Sequence, residues 1–346
     1  MSKRKKVSAI IMTLFLIIGC NNGGGEIEKR NEFLTSIANL GKGFLDVFVT
    51  FGDMVTGAFG IKAETKKSEI GQYFIDIEKT MISVKNKLNN VVAENSNYPK
   101  VKEVVDQFIT GTLDKIAEGA KKAASGAVGS DAIGNTVKDQ AAVPAEFKSV
   151  NALVKGIKEI VDVVLKQGDS DATKTEEAEK KSVGKLLGKK DDATEAVAAA
   201  ASASIGAVSG ADILQAIAKS GEAANNDVEI EKAKNAAEIA AAKKEDTKEL
   251  TAVQKDAVIA AGIALRAIAK DGKFAANNDA KYANAVNGAA ANAVGKTLST
   301  LIIAIRNTVD SGLKTINAAL ATVKQEDKSS AAAGAIKTEK NNNKEV

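Results

Sequence analysis

Residues 298–323 read "LSTLIIAIRNTVDSGLKTINAALATV". Within them Leu298, Leu301, Ile305, Val309, Leu313, Ile316, Leu320 and Val323 advance by threes and fours. That spacing lays one apolar stripe along an α-helix. At 1.5 Å per residue the stripe runs for about 39 Å. A bilayer span needs roughly 20 apolar residues, and the "LIIAI" run at 301–305 stops at Arg306. The stripe is therefore a core face, and it needs a partner. At the other end of the chain Phe33, Ile37, Leu40, Phe44, Phe48, Phe51, Val55 and Phe59 repeat the pattern. Two matched amphipathic helices at opposite ends predict a bundle in which they pair.

Working inward, Ile70, Phe74, Ile77, Met81, Val84, Leu88 and Val91 form a third stripe, and Phe147, Val150, Val154, Ile157, Val161 and Val164 a fourth. Pro99 and Pro144 each open a helical pattern, where the missing amide donor is harmless. The stretch "IAAGIALRAIAK", 259–270, is apolar on more than one side and is expected to pack inside. The polar stretches 125–143, 168–192, 221–229, 243–249 and 271–284 read as solvated connections. Substitutions there, at Ala276, Asn277 or Asn278 for example, are expected to be tolerated. Hydrophobic residues make up 45% of the chain and there are only two prolines, so the fold class is all-α.

Composition also excludes chemistry. The chain has no histidine, hence no histidine base, triad or imidazole metal site. Its single cysteine permits no internal disulfide. "GDSDATKTEEAEK" begins like a calcium loop with Asp169, Asp171 and Thr173, but Lys174 replaces the turn glycine and Lys180 the closing glutamate. "GKLLGKK", Gly184 to Lys190, is one residue short between its glycines for a phosphate loop. Ser209 in "GAVSG" is misplaced for a nucleophile elbow. The sequence thus assigns no catalytic residues, no metal ligands and no cofactor, and it does not read as an enzyme.

The cysteine lies elsewhere. Lys3, Arg4, Lys5 and Lys6 precede an apolar run from Val7 to Ile18, followed by Gly19 and Cys20. These are the parts of an export signal, and Leu16-Ile17-Ile18-Gly19-Cys20 resembles a bacterial lipobox. On that reading the signal, 1–19, is removed between Gly19 and Cys20, and Cys20 carries lipid. Residues 20–26, through "NNGGGE", form a flexible tether. A single helical domain spans 27–325, and 326–346 is a disordered tail. The whole chain has 48 Lys+Arg against 44 Asp+Glu, and all four excess positive charges lie in the signal. The mature chain is balanced, with 4% aromatics and no Trp, which argues against a nucleic-acid partner.

"AIAKSGEAANND", 216–227, recurs as "AIAKDGKFAANND", 267–279. Each copy reads as a helix end, with Lys219 and Lys270 in the last turn and Gly221 and Gly272 in left-handed positions. The second copy with its lead-in, "AVQKDAVIAAGIALRAIAKDGKFA", resembles the shared segment of the variable large proteins of relapsing-fever Borrelia spirochaetes and their Lyme-disease Vls relative. The lipobox, the Phe-rich first helix, "NYPKVKEVV" and the long last helix extend that resemblance over nearly the whole chain. It implies an elongated bundle with both terminal helices near the membrane and irregular polar loops distal. It further implies a non-catalytic surface antigen, anchored by lipid in the outer membrane and facing host antibodies. Switching among alternative gene copies would then evade those antibodies. From the family only the lipidated position, Cys20, carries over. The alternative function is an adhesin for a host ligand such as a glycosaminoglycan, with Lys121-Lys122 and Lys189-Lys190 as a local patch.

Overall fold

A computed structural model describes residues 31, 34–44, 60–94, 98–246 and 248–323. Among these the architecture is all-α, with only isolated bridges between extended segments. The helices are α1 (Lys67–Glu94), α2 (Pro99–Phe108), α3 (Asp114–Gly126), α4 (Phe147–Val164) and α5 (Glu177–Ser182), then α6 (Glu195–Ala207), α7 (Gly210–Ala218), α8 (Ala236–Ala241), α9 (Asp256–Ile268) and α10 (Ala280–Ala321). Residues 34–44 are helical as well, and a π-helical turn, Ile109–Leu113, joins α2 to α3.

The chain divides into two compact units. The smaller comprises Met1–Asp53, Ser83–Gly111 and Val309–Val346. Here the predicted terminal stripes meet: a Cβ added at Gly41 would lie 3.5 Å from Leu320 Cδ2. Ile37, Leu40 and Phe44 are buried, as are Val309, Leu313, Ile316 and Leu320. Val84, Leu88, Val101 and Val105 complete this core. Phe33, Phe48, Phe51, Val55 and Phe59 lie outside the described residues. Pro99 occupies the start of α2, as its missing donor allows.

The larger unit comprises Met54–Ile82 and Thr112–Thr308. In it α3 and α4 cross almost backbone to backbone: a Cβ at Gly156 would lie 2.3 Å from the Ala123 nitrogen. At the centre is α9, packed by α4, α6, α7 and α8. From Ile259 to Ile268 every residue of α9 is buried, as an all-round apolar helix must be. By length and composition α10 could cross a bilayer, but Leu298, Leu301 and Ile305 are fully covered within the protein.

Several sequence expectations need correction. The last helix begins at Ala280 and runs for 42 residues, well before the stripe at Leu298. The stretch 168–192 is not all solvated: it holds α5 and a 3-10 turn whose Val183, Leu186 and Leu187 are buried. In 271–284, Phe274, Ala275 and Ala276 are buried, because Lys273 and Ala276 pair antiparallel with Val143 and Gln140. Ala276 is therefore no permissive position, while Asn278 is exposed. Neither Gly221 nor Gly272 is left-handed; Asp271 is, at φ 66°. Gly272 is required instead by close approach, since a Cβ there would lie 2.0 Å from the Arg266 carbonyl oxygen. Pro144 lies three residues ahead of α4, in the extended segment that carries the Val143–Lys273 bridge.

Candidate functional site

Cys20 and Gly19 lie outside the described residues. What the structure does describe is how the polar connections are held. In each case a side chain of the helical frame grips the main chain of a connection. Asp256, the first residue of α9, accepts from the Lys174 amide at 2.6 Å, the Thr175 amide at 2.9 Å and the Thr175 hydroxyl at 2.6 Å. Asp212 of α7 accepts from the Asp169 amide at 2.7 Å, and also closes a capping box with Ser209. Those two carboxylates fasten 169–175 at both ends. Burial pushes each carboxyl up, but the amide and hydroxyl donors outweigh it, so both titrate below the ordinary carboxylate range.

Asparagines do the same elsewhere. Asn287 of α10 accepts from the Thr136 amide at 2.9 Å and donates to its carbonyl at 3.0 Å. Asn151 of α4 makes the same paired contact with Ala223, both bonds at 2.9 Å. An amide side chain thus satisfies one donor and one acceptor of a connection without touching its side chains.

Three cations, Lys296 half-buried and Arg266 and Lys67 buried, serve the other ends of helices. Lys296 donates to the carbonyls of Ile205 and Val208, closing α6. Arg266, fully buried, donates through Nη1 to the carbonyls of Ala240 at 3.0 Å and Ala242 at 3.3 Å, closing α8. Its Nε donates to the Lys273 carbonyl at 3.1 Å, and its guanidinium lies 5.8 Å from the Phe274 ring centre. Burial pulls Arg266 down to about 9, so it remains charged at neutral pH. Lys67 donates to the carbonyls that end α9. Helix carbonyls left over at a C-terminus are in this way met by cations rather than by left-handed glycines.

The sequence decoys take structural roles. Asp169 accepts from the Asp171 amide at 2.9 Å, and Thr173 faces Asp256 and Lys180. Gly184 is in the 3-10 turn against the backbone of Glu249 and Leu250. Among the described residues no group of three or more Cys, Asp or Glu could hold a metal ion. Three lysines of the glycosaminoglycan patch already meet carboxylates of this chain: Lys122 pairs with Glu159, Lys189 with Asp246 at 2.5 Å, and Lys190 with Asp139 at 2.6 Å. Lys121 is exposed.

Comparison with known proteins gives a consistent set of likenesses. The family model described as Borrelia lipoprotein matches residues 44–320. Variable large protein 4 of Borrelia hermsii is 65% identical over 341 residues, covering 95% of this chain and 97% of the relative. Variable large protein 17 of the same organism is 63% identical, covering 94% and 95%. Among solved structures, that of the Lyme disease variable surface antigen VlsE of Borrelia burgdorferi superposes with a TM-score of 0.72 at 35% identity. It covers 84% of this chain and 99% of that one.

Proposed function

The chain belongs to the Borrelia lipoprotein family, and from that premise we propose that it is a variable surface antigen without catalytic activity. Its signal is cleaved between Gly19 and Cys20, and lipid on Cys20 anchors it in the outer membrane, facing outward. It is one of several alternative gene copies, and exchange among them changes what host antibody meets. Lipid contributes about 0.8 kcal/mol per buried CH₂, and two or more chains give stable anchoring.

The observation that carries this reading is the main-chain grip. Asp212, Asp256, Asn151 and Asn287 hold connections by their amides and carbonyls. A connection held by its backbone is free to change its exposed side chains, such as those of Asp171, Lys174 and Glu176, with little effect on the frame. A surface that must change while its scaffold persists requires this division of labour.

The test uses live Borrelia cells producing the wild-type chain or Cys20→Ala, fed radioactive palmitate and stained with serum against the 168–176 peptide. Wild-type cells should incorporate label and stain without permeabilisation, and Cys20→Ala should lose both. Staining only after permeabilisation would overturn the surface assignment, and equal labelling of Cys20→Ala would overturn the anchor.

A further inference from the structure

The dipeptide Asn-Gly stands at 22–23 and again at 287–288, and the second pair lies among the described residues, near the start of α10. After proline, glycine is the poorest residue for a helix interior. A glycine kept there is expected to answer a close approach, as Gly210 does against Lys296 and Thr300. Gly288 answers none: it is exposed, and a Cβ there would meet nothing within 4 Å. Asn287, by contrast, is fully engaged. Half-buried, it accepts from the Thr136 amide at 2.9 Å and donates to the Thr136 carbonyl at 3.0 Å.

An asparagine followed by glycine carries its own chemistry, because no side chain on the second residue shields its amide. The Gly288 nitrogen can attack Asn287 Cγ. A bond from that nitrogen to Cγ forms, the Cγ–Nδ2 bond breaks, and Nδ2 leaves as ammonia with the proton of the Gly288 amide. Water then opens the five-membered imide at either carbonyl, leaving aspartate or isoaspartate at 287. In the folded chain both reactants are occupied. The helix directs the Gly288 amide to the Asn284 carbonyl, and Thr136 holds the side-chain amide in place. Attack therefore takes place from a locally opened form.

We propose that Asn287–Gly288 is a self-modification site, a deamidating pair that its bonds to Thr136 keep intact and whose product no longer holds the connection. A carboxylate only accepts. It still meets the Thr136 amide, but the Thr136 carbonyl loses its donor and faces negative charge instead. Thr136 is buried, so water does not replace that donor while the connection stays closed. Opening once is reversible; opening long enough to deamidate is not, and it frees the exposed run 137–140 beside Thr136. None of this depends on the antigen reading, because it concerns the folded chain in any setting.

The test incubates the full chain beside a synthetic peptide of residues 282–296, at neutral pH and body temperature. Trypsin then releases the same 282–296 segment from the chain, and mass spectrometry locates each amide converted to acid. Conversion in the chain should be confined to Asn287, sparing Asn284 and Asn292, which precede alanine. It should run between about ten- and a hundredfold slower than in the peptide, the factor by which opening limits it. The converted fraction should exchange the amides of 133–138 with deuterium faster than the unconverted chain. Gly288→Ala, which the open space around Gly288 admits, should abolish conversion and leave that exchange at the wild-type rate. Equal rates in chain and peptide would overturn the protection by Thr136. No conversion after about thirty half-lives of the peptide would overturn the site. Unchanged exchange at 133–138 in the converted fraction would overturn the release.

Discussion

The two ends of α9 are held by opposite means. At its start one carboxylate, Asp256, gathers the amides of Lys174 and Thr175. At its finish Lys67 and Arg266 are tied to carbonyls of Ala269, Gly272, Ala240 and Ala242. Each choice of sign suits the helix dipole at that end. The consequence differs, however. Asp256 holds an exposed connection, whose residues 171, 173 and 174 face solvent. Arg266 and Lys67 hold segments that are themselves buried, Ala240 to Ala242 and Ala269. One end of the helix secures a surface that can be rewritten, and the other secures the frame that must not be.

The most severe way to break this comparison is at the buried end. Arg266→Met removes the donor to several interior carbonyls and should destabilise by about 3–5 kcal/mol, read from urea unfolding. Leu301→Asp and Ile305→Asp provide a reference of similar size, since each buries an unpaired charge in the α10 stripe. A loss under 1 kcal/mol for Arg266→Met would mean that the interior tolerates those carbonyls unmet. At the exposed end, Asp256→Asn keeps the shape but weakens the grip. It should cost about 1–3 kcal/mol, with faster amide exchange at 172–176 and none of that change at 240–242.

The carboxylate end also has its own pH window. Because hydrogen bonding holds Asp256 and Asp212 below the ordinary value of about 3.9, their contribution is complete above that value. It is lost as pH falls through their folded titrations. Acid melts should show this component in the wild type and a smaller one in Asp256→Asn. The smallest effect belongs to exposed side chains of the connections: Asp171→Ser, Lys174→Ala, Glu176→Ala and Asn278→Ala should each stay within about 0.5 kcal/mol. Larger losses there would show that the connections contribute more than their backbones.

The helical frame was legible because its signal is local. A stripe such as Leu301, Ile305, Val309, Leu313 and Ile316 announces its buried face by spacing alone, and each of these residues is buried. Ile259 to Ala269 was legible for the same reason, being apolar all round. The start of α10 was not, because Ala280 to Thr297 is mostly Ala, Asn and Gly with few large side chains to mark a face. Phe274 and the Leu186-Leu187 pair were hidden as short apolar pieces in polar surroundings, where only tertiary pairing decides their burial. The grips were the least visible. Nothing in the spacing of Asp256 and Lys174 says that they meet, and Lys67 beside Lys66 reads as an ordinary surface pair. Arg266 alone carried a signal, as a charge inside an apolar run, which a folded chain tolerates only with partners.

A helix covered on every side imposes a demand on the newly made chain. The run "AVIAAGIALRAI" within α9 has no exposed face after folding, so before folding it has no polar face to show. Its cover comes from α4 and α8 as well as α6 and α7, and α4 begins more than a hundred residues earlier at Phe147. Contacts of that sequence separation form late. Until they form, a run of this kind is the part of the chain most prone to self-association. Every helix that covers α9 precedes it in the chain, so its cover has already been made when the α9 segment emerges.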